Sequence, residues 1–141
     1  METVAFTRMA DGTAKDYALL GRYEEGYVAT LFGRRRPIPE LRASNYQTRS
    51  LGERLAVNTV MQGSAADIIK VAMIGCHRRM RENEMGSMLV LQVHDELVFE
   101  AVESELPDLR PLVHEEMVSA YPLDPPLEVD IGTGATWLDA K

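Results

Sequence analysis

Met88-Leu89-Val90-Leu91-Gln92-Val93-His94-Asp95-Glu96-Leu97-Val98-Phe99-Glu100 decides the fold. Six mostly apolar residues run into His94-Asp95-Glu96, and a second apolar run leaves. Two buried strands joined at polar residues read as a tight β-hairpin. Adjacent acids at a hairpin tip repel each other, so folding gains nothing obvious from Asp95 and Glu96. A divalent cation removes that conflict, because hard cations such as Mg²⁺ bind through one or two carboxylates plus substrate phosphates. The alternative is a solvated turn that happens to be acidic.

Outward from the hairpin, the chain reads as α+β. The 141 residues, 45% of them hydrophobic, suffice for one compact domain with a core. Residues 1–25 read as a leader with few large apolar side chains, containing at most a short helix near Lys15 to Glu25. Gly26 to Phe32 has strand composition, and Gly33-Arg34-Arg35-Arg36-Pro37 reads as a turn. From about Thr48 to Asn83 the pattern is helical, with Leu51, Leu55, Met61, Ala65, Ile68, Ala72 and Cys76 as its apolar side. Ser50 with Glu53 suits a capping box at its start. Gly63, with Ser64 and Asp67 as a second cap, predicts two consecutive helices or one kinked helix. Gly86 fits the turn that ends it. Glu105 to Tyr121 reads as a further helix burying Leu109, Leu112, Val113 and Met117, with Pro107 in its first turn. Leu127 to Ile131 alternates apolar and acidic residues as a half-exposed strand does, and Trp137 and Leu138 are expected to anchor the tail.

No apolar run approaches the roughly 18 residues of a membrane span, and no signal-peptide pattern is present. Cys76 is the single cysteine. It reads as a small buried apolar residue, and a reducing, cytoplasmic setting fits. The net charge of -7 argues against a generic nucleic-acid binder, but its distribution is uneven. Residues 87–141 hold 2 Lys and Arg against 12 Asp and Glu, whereas residues 34–81 hold 10 against 3. A basic segment beside an acidic one is compatible with phosphate contact beside metal binding, and equally with ordinary charge asymmetry.

Gln92-Val93-His94-Asp95-Glu96 resembles the third catalytic motif of family A DNA polymerases, the bacterial DNA polymerase I type. Gly26-Tyr27-Val28-Ala29-Thr30-Leu31-Phe32-Gly33-Arg34-Arg35-Arg36 resembles the segment that follows the family's fingers. Asn58-Thr59-Val60-Met61-Gln62-Gly63-Ser64-Ala65-Ala66-Asp67 resembles its minor-groove helix, and Pro126-Leu127-Glu128-Val129-Asp130-Ile131-Gly132 its closing segment. Motifs in the correct order from about Gly26 to the end are a specific signal, where a lone Val-His-Asp-Glu is weak.

The resemblance implies a palm-like antiparallel sheet with the hairpin at its centre and two or three helices on one face, over residues 26–141. It implies attack of a primer 3′-hydroxyl on the α-phosphate of a deoxynucleoside triphosphate, with two Mg²⁺ ions in the complete enzyme. Asp95 matches the metal-binding aspartate, Glu96 its acidic neighbour in the catalytic site, and His94 a residue near the primer terminus. Arg54, Asn58 and Gln62, spaced four apart on one helix face, match groups facing primer and template in the minor groove. Their donors suit the N3 and O2 acceptors present at every Watson–Crick pair. Otherwise they are a wet helix face. Arg34, Arg35 and Arg36 are read as phosphate contacts, which position DNA without reading sequence, or as a solvated loop.

The family's first catalytic aspartate and its fingers helix have no counterpart here. Asp16-Tyr17 echoes only two residues of the aspartate's motif and lies too close to Gly26. The chain therefore resembles a C-terminal piece of a polymerase domain, inactive alone, whose partners are primer-template DNA and the missing upstream segment. Other classes stay open: a non-catalytic DNA-binding fragment, a structural remnant, or an HD-type phosphohydrolase using His94-Asp95. The last needs more ligands than His77 and His114 add.

Overall fold

The computed structural model describes residues 2–5, 21–22 and 26–140. They form an α+β fold in two compact units, Asp11–Asp67 and Met1–Ala10 with Ile68–Lys141. Strands β1 (Glu2–Ala5), β2 (Gly21–Arg22), β3 (Tyr27–Ala29) and β4 (Arg35–Pro37) come first. Helix α1 (Tyr46–Glu82), strands β5 (Met88–Val93) and β6 (Glu96–Ala101), helix α2 (Leu106–Val118) and strand β7 (Gly132–Gly134) follow. The short helix expected over residues 15–25 gives way to strand at Gly21–Arg22, and its remaining residues lie outside the described ones, as does Asp16.

One unit is a four-stranded antiparallel sheet in the order β5-β6-β1-β7. Leu97, Phe99 and Ala101 alternate along β6 and share a face. That face packs with Ile69, Ala72, Cys76 and Met80 of α1 and Leu109, Leu112, Val113 and Met117 of α2. Two helices on one face are what the expected architecture required. Arg79 reinforces the α1–α2 contact through ion pairs with Glu115 and, at 3.3 Å, Glu116. Burial pushes the Cys76 thiol up to about 12, with the Glu116 carboxylate adding to the shift, so the single cysteine is an inert core residue.

The two hairpin strands are not equally buried, contrary to expectation. β6 lies between β5 and β1, whereas β5 is the sheet edge and exposes Met88, Val90 and Leu91. A register shift between Leu89 and Leu91 lets Leu89 face Phe99 and Leu91 face Val98. The other unit holds the short sheet β2-β3-β4 and the first part of α1. Val28, Ile38, Leu41, Ala56 and Val60 form its core.

Helix α1 is one helix of 37 residues. It starts ahead of the expected capping box because Asn45 caps it, its Oδ1 accepting from Gln47 N–H at 2.8 Å and Thr48 N–H at 3.3 Å. Its buried positions in this unit are Gly52, Ala56, Val60, Ser64 and Asp67, whereas the expected Leu51 is 46% exposed. Gly63 does not break the helix. A Cβ there would stand 2.8 Å from Thr30 Cγ2, so glycine permits the close seating of the β3–β4 segment.

The helix does not end on Gly86. Glu84 takes the left-handed conformation at φ 52°, with Met85 N–H donating to Met80 O at 3.0 Å and Glu84 N–H to Arg81 O at 3.1 Å. These are the paired bonds of a Schellman motif. The chain then passes to β5 through Gly86 and Ser87, which Glu105 holds. Its carboxylate accepts from Gly86 N–H at 2.8 Å and from Ser87 N–H and Oγ–H at 2.9 and 2.6 Å. Leu127 to Ile131 shows the expected alternation of exposure but no strand pairing. The strand is Gly132–Gly134, which pairs with β1 through Ala5↔Gly132 and Thr3↔Gly134. Leu138 is 81% exposed, so it does not anchor the tail.

Two outcomes are expected. Glu84→Gly relieves a left-handed non-glycine residue and raises unfolding stability by about 1 kcal/mol in denaturant melts. The hydrogen bonds from Ser87 and Gly86 lower the Glu105 pKa, so the folded state favours the charged form. That stability is present above the ordinary glutamate range and is lost as pH falls through the lowered pKa. Acid titration followed by circular dichroism should therefore show a shallower stability loss for Glu105→Gln, from a lower neutral-pH starting value.

Candidate functional site

The β5–β6 hairpin closes through a two-residue turn. Val93 pairs with Glu96, leaving His94 and Asp95 as the turn residues. Both are exposed, and Glu96 is the first residue of β6. The expected antiparallel turn is thus observed with Asp95 in it, whereas Glu96, expected in the turn as well, is instead paired with Val93 at the start of β6. His94 has φ 54°, a left-handed conformation that turns of this kind ordinarily give to glycine. The turn is braced on two sides. The Gln92 side-chain amide donates to the His94 carbonyl at 2.6 Å, and the Trp137 indole N–H donates to Glu96 Oε2 at 3.3 Å. Trp137 is therefore the tail anchor, as expected, and it engages one of the two acids. Asp95 remains at the apex beside a strained histidine, and strain of this kind clusters at ligand-handling sites.

A full metal site is not built here. Among the described residues, no group of three or more His, Cys, Asp or Glu could hold a metal ion. Asp95 offers one carboxylate at the turn, and the second acid there already accepts a hydrogen bond from Trp137. His77 and His114 sit exposed on α1 and α2 and join no such group, so the HD-type reading finds no ligand set among the described residues.

The polar stripe belongs to the other unit. Arg54, Asn58 and Gln62 are all exposed, on a stretch of α1 whose opposite side buries Ala56 and Val60. Beside them stands Arg36, whose Nη1 donates to Thr59 Oγ1 at 2.9 Å. Thr59 adjoins Asn58 and lies three residues before Gln62, so Arg36 extends the stripe sideways.

The three arginines are not equivalent. Arg35 stacks its guanidinium 4.9 Å from the centroid of the Tyr27 ring. Arg34 turns onto α1. Its Nε donates to Asp67 Oδ1 at 3.1 Å, and its Nη2 lies 3.0 Å from Asp67 Oδ1 in an ion pair and donates to the Gly63 carbonyl at 3.2 Å. Leu31 N–H donates to Ser64 Oγ at 3.0 Å in the same place. Ser64 and Asp67, expected as a helix cap, are instead the seat of the β3–β4 turn. Sequence reading missed this because Arg34 and Asp67 are far apart in the chain. The available signal was Asp67 as one of only three acids, with Glu40 and Glu53, in the basic window 34–81.

A profile of DNA polymerase family A matches residues 18–139. The chain is 51% identical over 114 residues to a DNA polymerase I of Mycobacterium leprae, covering 81% of this chain and 12% of that protein. It is 52% identical over 118 residues to the DNA polymerase I of Bacillus subtilis, covering 84% and 13%. Among solved structures, it resembles the POL domain of Pol1 from M. smegmatis in complex with DNA primer-template and dNTP. That match has a TM-score of 0.82 and 50% identity, over 90% of this chain and 22% of that one. The chain thus spans only about an eighth of the curated relatives it matches, 12% and 13% of their lengths.

The strained turn makes a direct prediction. His94→Gly removes a left-handed non-glycine residue from the first turn position and should stabilise the fold by about 1 kcal/mol. A denaturant midpoint that does not rise would mean that surrounding contacts already offset the strain.

Proposed function

Because this chain belongs to DNA polymerase family A, we propose that it is the C-terminal palm segment of a DNA-directed DNA polymerase, serving DNA replication or repair in the cytoplasm. The observation that supports this most is Asp95 at the apex of the antiparallel β5–β6 hairpin. A carboxylate on a strand turn, clear of the sheet, is what phosphoryl-transfer chemistry needs on one side of its metal site. The partners are primer-template DNA and a deoxynucleoside triphosphate. The reaction is attack of the primer 3′-hydroxyl on the α-phosphate, with pyrophosphate leaving.

Each residue takes a definite part. Asp95 supplies one metal-binding carboxylate, Glu96 braces the turn through Trp137, and His94 meets the primer terminus. Arg54, Asn58 and Gln62 donate to minor-groove acceptors common to all base pairs. Such donors test pair geometry without testing sequence. Arg35 and Arg36 carry positive charge toward the phosphates, and burial of Cys76 as a free thiol suits a reducing compartment.

Family A polymerases generally use Mg²⁺. The described residues do not fit a complete site for it, because two adjacent carboxylates, Asp95 and Glu96, with no third His, Cys, Asp or Glu grouped beside them are too few for a reluctantly dehydrating ion. The chain therefore contributes one side of a site whose other carboxylate an upstream polymerase segment supplies. The groups that orient the triphosphate would come from the family's fingers, and orientation supplies much of the acceleration in such reactions.

The test is primer extension with purified chain, Mg²⁺ or Mn²⁺ and four nucleotides, with and without an upstream polymerase fragment. The chain alone should not extend the primer. Extension on adding the fragment, abolished by Asp95→Asn, supports a palm segment that works in combination. Reconstituted extension unaffected by Asp95→Asn would remove Asp95 from the reaction.

A further inference from the structure

We infer that Asp67 is a positioning residue for nucleic-acid contact: through Arg34 it clasps the β3–β4 turn onto helix α1, so that Arg35 and Arg36 stand beside the polar stripe. The inference rests on the reading that this surface meets primer-template DNA.

The geometry separates the three arginines into one holder and two presenters. Asp67 is the better buried partner, its side chain 11% exposed against 56% for Arg34. Both Asp67 oxygens accept from Arg34 Nε, at 3.1 and 3.3 Å. The Arg34 side chain reaches Gly63 O as well, so its fork is spent on helix α1. The same seat receives Leu31 N–H on Ser64, and Thr30 closes the turn by accepting from Gly33 N–H at 2.8 Å through its carbonyl and from Arg34 N–H at 3.2 Å through its hydroxyl. Thr30 also lies against Gly63, where even a methyl group would collide. Turn and helix are thus locked together at Gly63, Ser64 and Asp67, immediately after Gln62.

The lock sets where the next two arginines stand. Strand β4 begins at Arg35, directly after the clasp, and pairs with β3 through Ala29↔Arg35 and Val28↔Arg36. Arg36 lies on the Val28 side of the strand, toward the helix, and reaches Thr59. Arg35 lies on the other side over Tyr27. Freed from Asp67, the turn would lose its ion pair with the helix, and the Arg36–Thr59 contact would lose the support that sets its distance. Asp67 itself carries negative charge, which acting alone would repel a phosphate backbone. The two roles predict opposite signs for its removal, and that makes the inference testable.

The experiment is binding of the full chain to a primed duplex by fluorescence anisotropy, across a salt series, with Asp67→Asn, Arg34→Ala and the double variant. Circular dichroism at the assay temperature checks that each variant stays folded, and Asp67→Glu serves as the conservative rescue. If Asp67 positions the arginines, Asp67→Asn weakens binding several-fold although it removes a repelling charge. The slope of log affinity against log salt should flatten by about 1, the change expected for one lost phosphate contact. The double variant should bind no more weakly than Arg34→Ala alone, and Asp67→Glu should restore part of the slope. Tighter binding by folded Asp67→Asn with an unchanged slope overturns the inference and leaves Asp67 as a bystander charge. Wild-type chain that does not bind primed duplex at low salt overturns the DNA reading itself, and the inference with it.

Discussion

Burial of Leu97, Phe99 and Ala101 on one face of β6 is the constraint on which the hairpin depends. Side chains alternate across a strand, so a slip of one residue would expose all three and drive Val98 and Glu100 toward the helices. With helices α1 and α2 both seated on that face, the register of β6 has one low-energy value. The pairing of Val93 with Glu96 then follows, and only His94 and Asp95 remain to make the turn. The position of Asp95 is therefore set by hydrophobic packing several residues away. That also explains how a histidine is held at φ 54°: the packing of β6 overdetermines the turn, so local strain is tolerated.

The sequence made legible those features that rest on strong periodicity. The hairpin, the buried side of α2, the α1 positions Ile68, Ala72 and Cys76, and the polar stripe all express regular burial or its absence. The errors arose where two chemistries share one signature. Asn45 outcompeted Ser50 as a cap because both offer a side-chain acceptor and only the start of the packed helix distinguishes them. Glu84 stood where Gly86 was expected because the Schellman bonds are set by where α1 loses its packing, not by residue preference. The alternation from Leu127 to Ile131 reported one-sided burial correctly but not a ladder, which requires a partner strand. On the edge opposite β6, β1 pairs with the segment after α2 at Gly132–Gly134, not at Leu127 to Ile131. The exposure of β5 was hidden for the same reason, since apolar composition does not reveal whether a strand has one neighbour or two.

Charge patterning was the weakest guide. A run of three arginines invites a single interpretation, yet each finds a different partner: a carboxylate, an aromatic ring and a hydroxyl. Pairing in strand β4 sends Arg35 and Arg36 to opposite sides, and the turn preceding it directs Arg34 onto the helix. Asp67 illustrates the converse. In the sequence it is one acid among many bases, whereas in the structure it is the group toward which the β3–β4 turn folds. Contacts between residues about thirty positions apart leave no local trace, so only the folded chain exhibits them.

The division of labour has a physical logic. Contact with a duplex tolerates distributed, individually weak groups, because counterion release sums over phosphates and minor-groove acceptors recur at every pair. A metal site does not tolerate distribution: its carboxylates must converge within a few ångströms, and removing one leaves an ion short of ligands. On the proposed reading, the polar stripe and the arginine turn serve the first task, and Asp95 serves one side of the second. The asymmetry follows from the geometry of the two tasks. Binding degrades gradually as a surface is subdivided, whereas two-metal chemistry is lost at the first cut that separates its carboxylates.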